Sequence, residues 1–455
     1  MPTSLLAALP GILTAAREEA EQAKAAAAPL TDAEGTILHG DNLQALAGLL
    51  AGGAAGTVGL IYIDPPFDSR AEYAATVTVP LSDGRAVDIT RPAYKDSWGH
   101  GGIGKLSATD ASTAAYLAMF APRLILMREL LAESGSIMVH LDWHVGHYVR
   151  VLLDEIFGRD CFINELVWRY GKMSRTTRRF PQNHDTIYFY ARDPHRYYFQ
   201  PVKGAESEYK KRYARRLRGD KLYWGDVKES TDRLIAGRAR KRVKELGREL
   251  VDEDVLFDFT SEFKVQDDVF YDISIIKGNA AERLGYDTQK PEKLLARLIE
   301  AACPPGGLVA DFFGGSGTTA AVAQRTGRRF ITGDVGAAAV SVMRARLGVP
   351  IRALVDAAEA QVIDAQVGVL DGRLALVDFA YRDVSAVAAA LGLDEENARK
   401  LAEIHEAEPL ALAATWTVST ADGTDIYSGP VAPVEGPGAQ VEVSDVFGHR
   451  ATIYL

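Results

Sequence analysis

The sequence predicts an α/β fold: a doubly wound, mostly parallel sheet interrupted by a basic module and followed by a small α+β unit. Three observations predict it. Short apolar runs ending in a polar residue alternate with stretches of helical periodicity, the pattern of a parallel sheet with crossover helices. Charge is segregated: residues 165–250 hold 23 Lys and Arg against 11 Asp and Glu, whereas residues 351–455 hold 6 against 17. The chain has 455 residues, and at about 150 per domain that gives two to three domains.

In chain order, residues 1–35 read as a helical extension without the basic start and apolar core of a secretory signal. Strands are expected at 36–41, 58–64, 136–142, 186–192, 308–313 and 329–334, with helical periodicity at 115–135 and 144–158. Residues 68–112 are polar and Gly-rich, and their length suggests a functional loop. The expected divisions are 36–165, a basic insert at 166–285, a second half-domain at 286–350, and the acidic tail at 351–455. Within the tail, an amphipathic helix leads into a strand anchored by Trp416, and turns with a hairpin follow.

Composition narrows the class. With 47% hydrophobic and 25% charged residues the chain is ordinary globular protein, neither fibrous nor wholly disordered. Cys161 and Cys303 are too few for a disulfide framework or a Cys-based zinc site, so a reducing, cytoplasmic compartment is expected. No apolar run approaches the roughly 18 residues of a membrane span. The net charge of −10 argues against a polyanionic partner, but the average conceals the island of +12 at 165–250. There aromatic and cationic residues interleave, as stacking plus phosphate contact requires. Lys172, Arg175, Arg178, Arg179, Lys210, Lys211, Arg212, Arg215, Arg216 and Arg218 are the candidates for DNA contact. The alternative for 233–250 is a solvated helix face.

Three motifs carry chemistry. Asp311-Phe312-Phe313-Gly314-Gly315-Ser316-Gly317-Thr318 runs from a strand through a Gly-rich turn into a helix, so backbone can approach a ligand whose charge the helix N-terminus favours. Asp334, ending the next strand, can accept hydrogen bonds from both ribose hydroxyls. Alone, this motif fits NAD as well as S-adenosylmethionine. Asp64-Pro65-Pro66-Phe67 closes the strand at 58–64, and its prolines fix the backbone and remove two N–H donors. Asp64 and the Pro65 carbonyl can accept the hydrogens of a planar amino group while Phe67 stacks on its ring. That arrangement serves methyl transfer and not dehydrogenation. Asp287-Thr288-Gln289-Lys290-Pro291-Glu292 opens a helix that Thr288 or Gln289 is expected to cap, with Lys290 placed to hold a carboxylate.

In kind and order these motifs resemble those of DNA amino-methyltransferases, which methylate adenine N6 or cytosine N4. The order of tetrapeptide, basic region and Gly-rich loop resembles the β-class permutation. Text such as GDNLQAL, LIYIDPPF and INELVW is similar to modification subunits of type III restriction systems. The resemblance covers roughly residues 36–170 and 285–336. It implies a Rossmann-like methyltransferase fold, S-adenosylmethionine as cofactor, and double-stranded DNA as substrate with the target base flipped out. It further implies a prokaryotic, nucleoid-associated protein, with a homodimer and a restriction subunit as candidate partners. The implied catalytic residues are Asp64, Pro65, Pro66 and Phe67. The implied cofactor contacts are Asp41, Asp64, Thr288, Lys290, Asp311, Phe312, Phe313, Gly314, Gly315, Ser316, Gly317, Thr318 and Asp334. Tyr286-Asp287 stands where the family usually has His-Pro, and Gly315 replaces a common Ala. Asp at the first tetrapeptide position favours adenine N6, with cytosine N4 the alternative.

Other signals point away from chemistry. Residues 99–106 nearly spell a phosphate loop, but Leu106 stands where Ser or Thr must bind magnesium. His140, Asp142, His144 and His147 read as structural, so no metal is expected. The thiols and the Tyr197-Tyr198-Phe199 cluster read as core. Rival readings are a DNA-specificity subunit with vestigial catalysis, and methylation of RNA or protein glutamine.

Overall fold

A nine-stranded sheet is the centre of the larger of two units. The computed structural model describes residues 4–69, 71–96, 106–171, 176, 178–202, 212–219, 221–259, 265–278, 280–354, 363–370, 373–420, 423–427, 431–433, 440–447 and 449–454. Its contacts divide it into two units, Met1–Phe199 with Val269–Leu455, and Gln200–Asp268.

The first unit begins with α1 (Leu5–Ala26), β1 (Ile37–His39), α2 (Asn42–Ala51) and β2 (Val58–Ile63). A hairpin of β3 (Glu72–Pro80) and β4 (Ala86–Lys95) leads to α3 (Ala108–Leu130), β5 (Leu131–Leu141), α4 (Gly146–Phe157), β6 (Phe162–Arg169) and β7 (His184–Ala191). The second unit supplies β8 (Lys221–Tyr223), the short α5 (Trp224–Val227), α6 (Arg233–Leu246) and β9 (Val255–Asp258). The first unit then resumes with β10 (Val269–Phe270), α7 (Glu292–Ala302), β11 (Leu308–Asp311), α8 (Thr318–Arg325), β12 (Arg329–Asp334), α9 (Ala337–Leu347) and β13 (Ile351–Ala353).

The sheet order is β10-β6-β7-β5-β2-β11-β12-β1-β13, and only β7 among these strands runs antiparallel to its neighbours. Alternate residues of β2 explain why both faces are covered. Ile61 and Ile63 join the core that includes α1 to α4, while Leu60 and Tyr62 join the core that includes α7 to α9. From β2 the chain proceeds toward β5, and from β11 toward β12, so the topological switch lies between β2 and β11. Asp64 follows β2, Asp311 ends β11 and Asp334 ends β12, all at the carboxyl edge where open α/β sheets bind ligands.

Two expectations change. The 68–112 stretch, expected as a loop, contains the β3–β4 hairpin. Its Val77, Val79, Val87 and Ile89 alternate with Thr and Asp, a strand pattern that the stretch's polarity and glycines obscured. Val79 and Ile89 are fully buried in a core with Phe379, Leu401, Trp416 and Val443, so the hairpin packs on the acidic tail. The expected insert at 166–285 is also not set apart whole. β6 and β7 belong to the central sheet, and the second unit is confined to Gln200–Asp268.

The tail forms a three-stranded sheet, β14 (Ile363–Leu370), β15 (Arg373–Tyr381) and β18 (Val431–Pro433), and a four-stranded one. The latter holds β16 (Ala413–Thr420), β17 (Gly423–Tyr427), β19 (Gln440–Asp445) and β20 (Arg450–Tyr454). Helices α10 (Val384–Ala390) and α11 (Glu395–Ala407) accompany them, and Trp416 is buried as expected. The second unit has its own small core of Tyr213, Leu222, Val227, Ile235, Leu256 and Phe257. Asp232 caps α6 by accepting from the Leu234 N–H at 2.9 Å.

Candidate active site

The Gly-rich loop is shaped by what its glycines leave out. A Cβ on Gly314 would stand 2.6 Å from Thr332 Oγ1 and 2.7 Å from Met343 Sδ, so only glycine fits. Gly317 caps α8 with φ +71°, and a Cβ there would meet Met343 Cγ at 2.8 Å. Asp311 is buried at the strand end, accepting from the Phe313 N–H at 3.0 Å and from Thr319 Oγ1 at 2.6 Å. Burial, beyond what those bonds offset, pushes its pKa up to about 7. Asp334 is also raised by burial, and its two oxygens accept from the Gly336 and Gly315 N–H groups at 2.8 and 2.9 Å. Each oxygen keeps a second lone pair for a ligand hydroxyl.

Asp41 belongs to the same edge. It caps α2 through the Leu43 N–H at 2.7 Å and accepts from Arg123 Nη2 at 2.7 Å. Arg123, on α3, also bonds Asn42, whose Nδ2 donates to the Phe312 carbonyl at 2.9 Å. Sequence reasoning missed Arg123 because nothing local marks it. These residues line a cavity of about 460 Å³ together with Asp64, Pro66, Thr288, Lys290, Phe312, Phe313, Gly314, Gly315, Ser316 and Thr318. Pro65, Phe67 and Gly317 lie beside that lining.

At the other end, Asp64 Oδ2 pairs with Lys290 Nζ. Asp64 Oδ1 is buried and accepts no hydrogen bond from any described residue. Lys290 Nζ stands 5.4 Å from the centroid of the Phe67 ring, and that ring lies near-parallel to His140 at 6.3 Å. His140 is itself fully buried between the Tyr62 hydroxyl at 2.8 Å and Asp185 at 3.2 Å, while Tyr170 donates to Asp185 at 2.7 Å. Lys290, expected to face a ligand carboxylate, is thus committed to Asp64 in this structure. The expected cap by Thr288 or Gln289 is not formed either. Pro291 is the N-cap residue, and the Gln289 side chain instead bonds the Glu282 carbonyl and the Leu284 N–H. A residue preceding proline is pushed out of helical geometry, which explains why α7 starts only at Glu292. Tyr286, at the variant position, packs against Gly315, and Asp287 accepts from the Ala74 N–H at 3.3 Å.

The basic candidates fall in three groups. Lys172, Arg175, Lys210 and Lys211 lie outside the described residues, as does most of the 99–106 near-motif. Arg178 and Arg179 are exposed between β6 and β7, a connection that leaves the sheet at the carboxyl edge of β2 and β5. In the second unit, Arg215 and Arg216 are exposed in a single helical turn. There Arg212 pairs with Asp232 at 3.1 Å and Arg218 with Asp226 at 2.6 Å. Of the aromatic trio, Tyr197 packs on the core but Phe199 is 45% exposed, less buried than expected. Cys303 is buried, whereas Cys161 is only partly so.

A family model described as DNA methylase, of the N6/N4 type, matches residues 58–343, well over half the chain. The chain belongs to this DNA methylase family. Members transfer methyl from S-adenosylmethionine to exocyclic amino groups of DNA bases. The methylase is 24% identical over 353 residues to the type II methyltransferase M.EcaI of Enterobacter cloacae, a match covering 69% of each chain. It is 25% identical over 329 residues to the StyLTI Mod subunit, a type III restriction-modification enzyme of Salmonella typhimurium. That match covers 62% of the methylase and 49% of the Mod subunit, about half its length. Among solved structures, the M1.HpyAVI–SAM complex is similar at 14% identity and a TM-score of 0.40, covering 69% of this chain and 99% of that one. The PvuII cytosine-N4-specific DNA methyltransferase follows at 14% and 0.37, covering 69% and 88%. Among the described residues no helix is long and apolar enough to cross a membrane.

Proposed function

We propose that the methylase modifies adenine N6 in double-stranded DNA, with Asp64, Pro65, Pro66 and Phe67 as the catalytic residues. One observation carries the site assignment: Asp64 Oδ1 is a buried acceptor without a donor among the described residues, while its other oxygen is taken by Lys290. A buried carboxylate oxygen left unpaired is costly, so its natural occupant is an N–H group brought by a ligand. An amino group on a flipped base is such a donor.

The far end of the cavity suits S-adenosylmethionine: glycines admit it closely, Asp334 keeps lone pairs for ribose hydroxyls, and Asp41 lies near for the adenine. Bound there, the cofactor supplies an electrophilic methyl group on a sulfonium. Asp64 accepts one amino hydrogen and the Pro65 carbonyl the other, which favours a pyramidal nitrogen with its lone pair free. Phe67 stacks on the base and helps offset the few kcal/mol of flipping. Lys290 holds the Asp64 carboxylate in place. Positioning and fixed charge thus do most of the work.

The segment Gln200–Asp268 and the 170–183 connection are the proposed DNA-reading elements, supported by the basic island and the exposed Arg178, Arg179, Arg215 and Arg216. The likeness to M.EcaI and to a Mod subunit supports a place in a restriction-modification system, either alone or beside a restriction subunit. Preference for adenine rests on Asp at the first tetrapeptide position. Mass spectrometry of nucleosides after in vitro methylation tests it. N6-methyladenine is expected, and N4-methylcytosine alone would overturn the assignment of the base.

A further inference from the structure

Immediately after the tetrapeptide the chain wraps around one carboxylate. Asp96, 1% exposed at the end of β4, accepts from the backbone N–H groups of Phe67, Asp68 and Ser69, each at 2.9 Å, and from Ser69 Oγ at 2.6 Å. Three consecutive N–H groups converging on one buried carboxylate make strong, directional bonds that define the path of the backbone. The same turn holds Asp68 at φ +54°, a left-handed conformation uncommon for a non-glycine residue. Such strain persists only where surroundings over-determine it. Here Ser112 Oγ and Thr113 Oγ1, on α3, each donate to the buried Asp68 carboxylate at 2.8 Å.

Asp96 is in turn carried by the hairpin that reaches the tail. The Thr90 N–H donates to Asn397 Oδ1 at 2.9 Å, and Arg91 Nη2 donates to the Phe447 carbonyl at 3.2 Å. One continuous strand therefore joins the acidic tail to the catalytic turn.

We propose that Asp96 is a positioning residue for methyl transfer: by gathering the Phe67 to Ser69 backbone it holds the Phe67 ring over His140 and beside Lys290, the partner of Asp64, and the tail steadies it through β4. This rests on reading Asp64 to Phe67 as the catalytic tetrapeptide. Among the described residues, the hydrogen bonds to the Asp96 carboxylate all come from Phe67, Asp68 and Ser69, so the effect of its loss is expected at the target end. The tail thereby acquires a role in catalysis, beyond any role in assembly.

The test uses the full-length methylase, S-adenosylmethionine and duplex DNA containing its site. In Asp96→Asn, kcat is expected to fall about a hundredfold, the scale of a misplaced reacting group, while cofactor Kd stays within about threefold and the protein stays folded at assay temperature with a lowered Tm. Ser69→Ala removes one of the four bonds and is expected to lower kcat about threefold by the same route. An unchanged kcat in Asp96→Asn overturns the proposal. So does a kcat loss matched by an equal loss of cofactor affinity, which marks a general structural role. Should Asp96→Asn fail to fold, Ser69→Ala and Thr113→Val decide, and normal kcat in both overturns the idea. Asp64→Ala is run in parallel. If it is active, the tetrapeptide reading fails and takes the proposal with it; if it is inactive while Asp96→Asn is normal, only the proposal fails.

Discussion

The two ends of the cavity are built on opposite principles. At the Gly-rich end the carboxylates already accept hydrogen bonds from the protein: buried Asp311 from Phe313 and Thr319, half-buried Asp334 from Gly315 and Gly336. At the tetrapeptide end, Asp64 keeps one buried oxygen without a donor among the described residues and holds Lys290 on the other. The first end is a rigid cradle complete without its ligand. The second is unfinished until a donor arrives. On the proposed reading, that difference separates binding from chemistry: preformed geometry would hold the cofactor, whereas the reacting amino group would be met by an acceptor with nothing else to do.

Breaking each end should therefore have distinct consequences. The largest effect is expected from Asp64→Ala, with methyl transfer lowered about a thousandfold and cofactor Kd within about threefold, read by single-turnover rates and calorimetry. Gly314→Ala attacks the other end. The new Cβ meets Thr332 and Met343, and overpacking of this kind is expected to weaken cofactor binding about ten- to a hundredfold, with DNA affinity preserved. Lys290→Ala leaves both ends folded but frees the Asp64 side chain. We expect kcat about tenfold lower and cofactor Kd nearly unchanged. A dominant loss of cofactor affinity would instead return Lys290 to the ligand-carboxylate role expected from sequence.

A smaller effect sharpens the contrast through pH. Asp311 has its folded pKa raised from 3.8 to about 7, so between those values the folded state binds more protons than the unfolded chain. Its contribution to stability therefore falls as pH rises from about 4 to 7. Melting temperatures across that window should decline less steeply in Asp311→Asn than in the wild type. The smallest effect leaves both ends intact. Arg215→Ala with Arg216→Ala should flatten the slope of log K against log salt for DNA by up to about 1.8, without changing the single-turnover rate at saturating DNA. Arg218 is left out because Asp226 already occupies it.

Much of this was legible in the sequence because the decisive motifs sit where strands end. Asp64, Asp311 and Asp334 each close or follow an apolar run, and neighbouring parallel strands bring them to one edge. Gly314 and Gly317 could be read as backbone requirements, and the structure supplies the atoms a Cβ would strike. What stayed hidden is what long-range packing creates. Lys290 reaches Asp64 across 226 positions, and Arg123 reaches Asp41 across 82. Asp96 lies in a stretch whose polar composition looked like a loop, though its alternating Val and Thr residues already had strand periodicity. The helix cap expected at Thr288 or Gln289 failed because Pro291 constrains the residue before it, a local rule available from the start.

The central claim is that Asp64 Oδ1 receives the amino group of the target base. The most direct measurement is a cycle that crosses Asp64→Ala with removal of that amino group, replacing the target adenine by purine in the duplex. Affinities for the two duplexes in the presence of cofactor give the coupling between carboxylate and amino group without reference to rate. Wild-type methylase should prefer adenine about tenfold or more, as befits a hydrogen bond to a charged acceptor, and Asp64→Ala should lose that preference. Equal discrimination by the two proteins would contradict the claim and place the amino group elsewhere in the cavity.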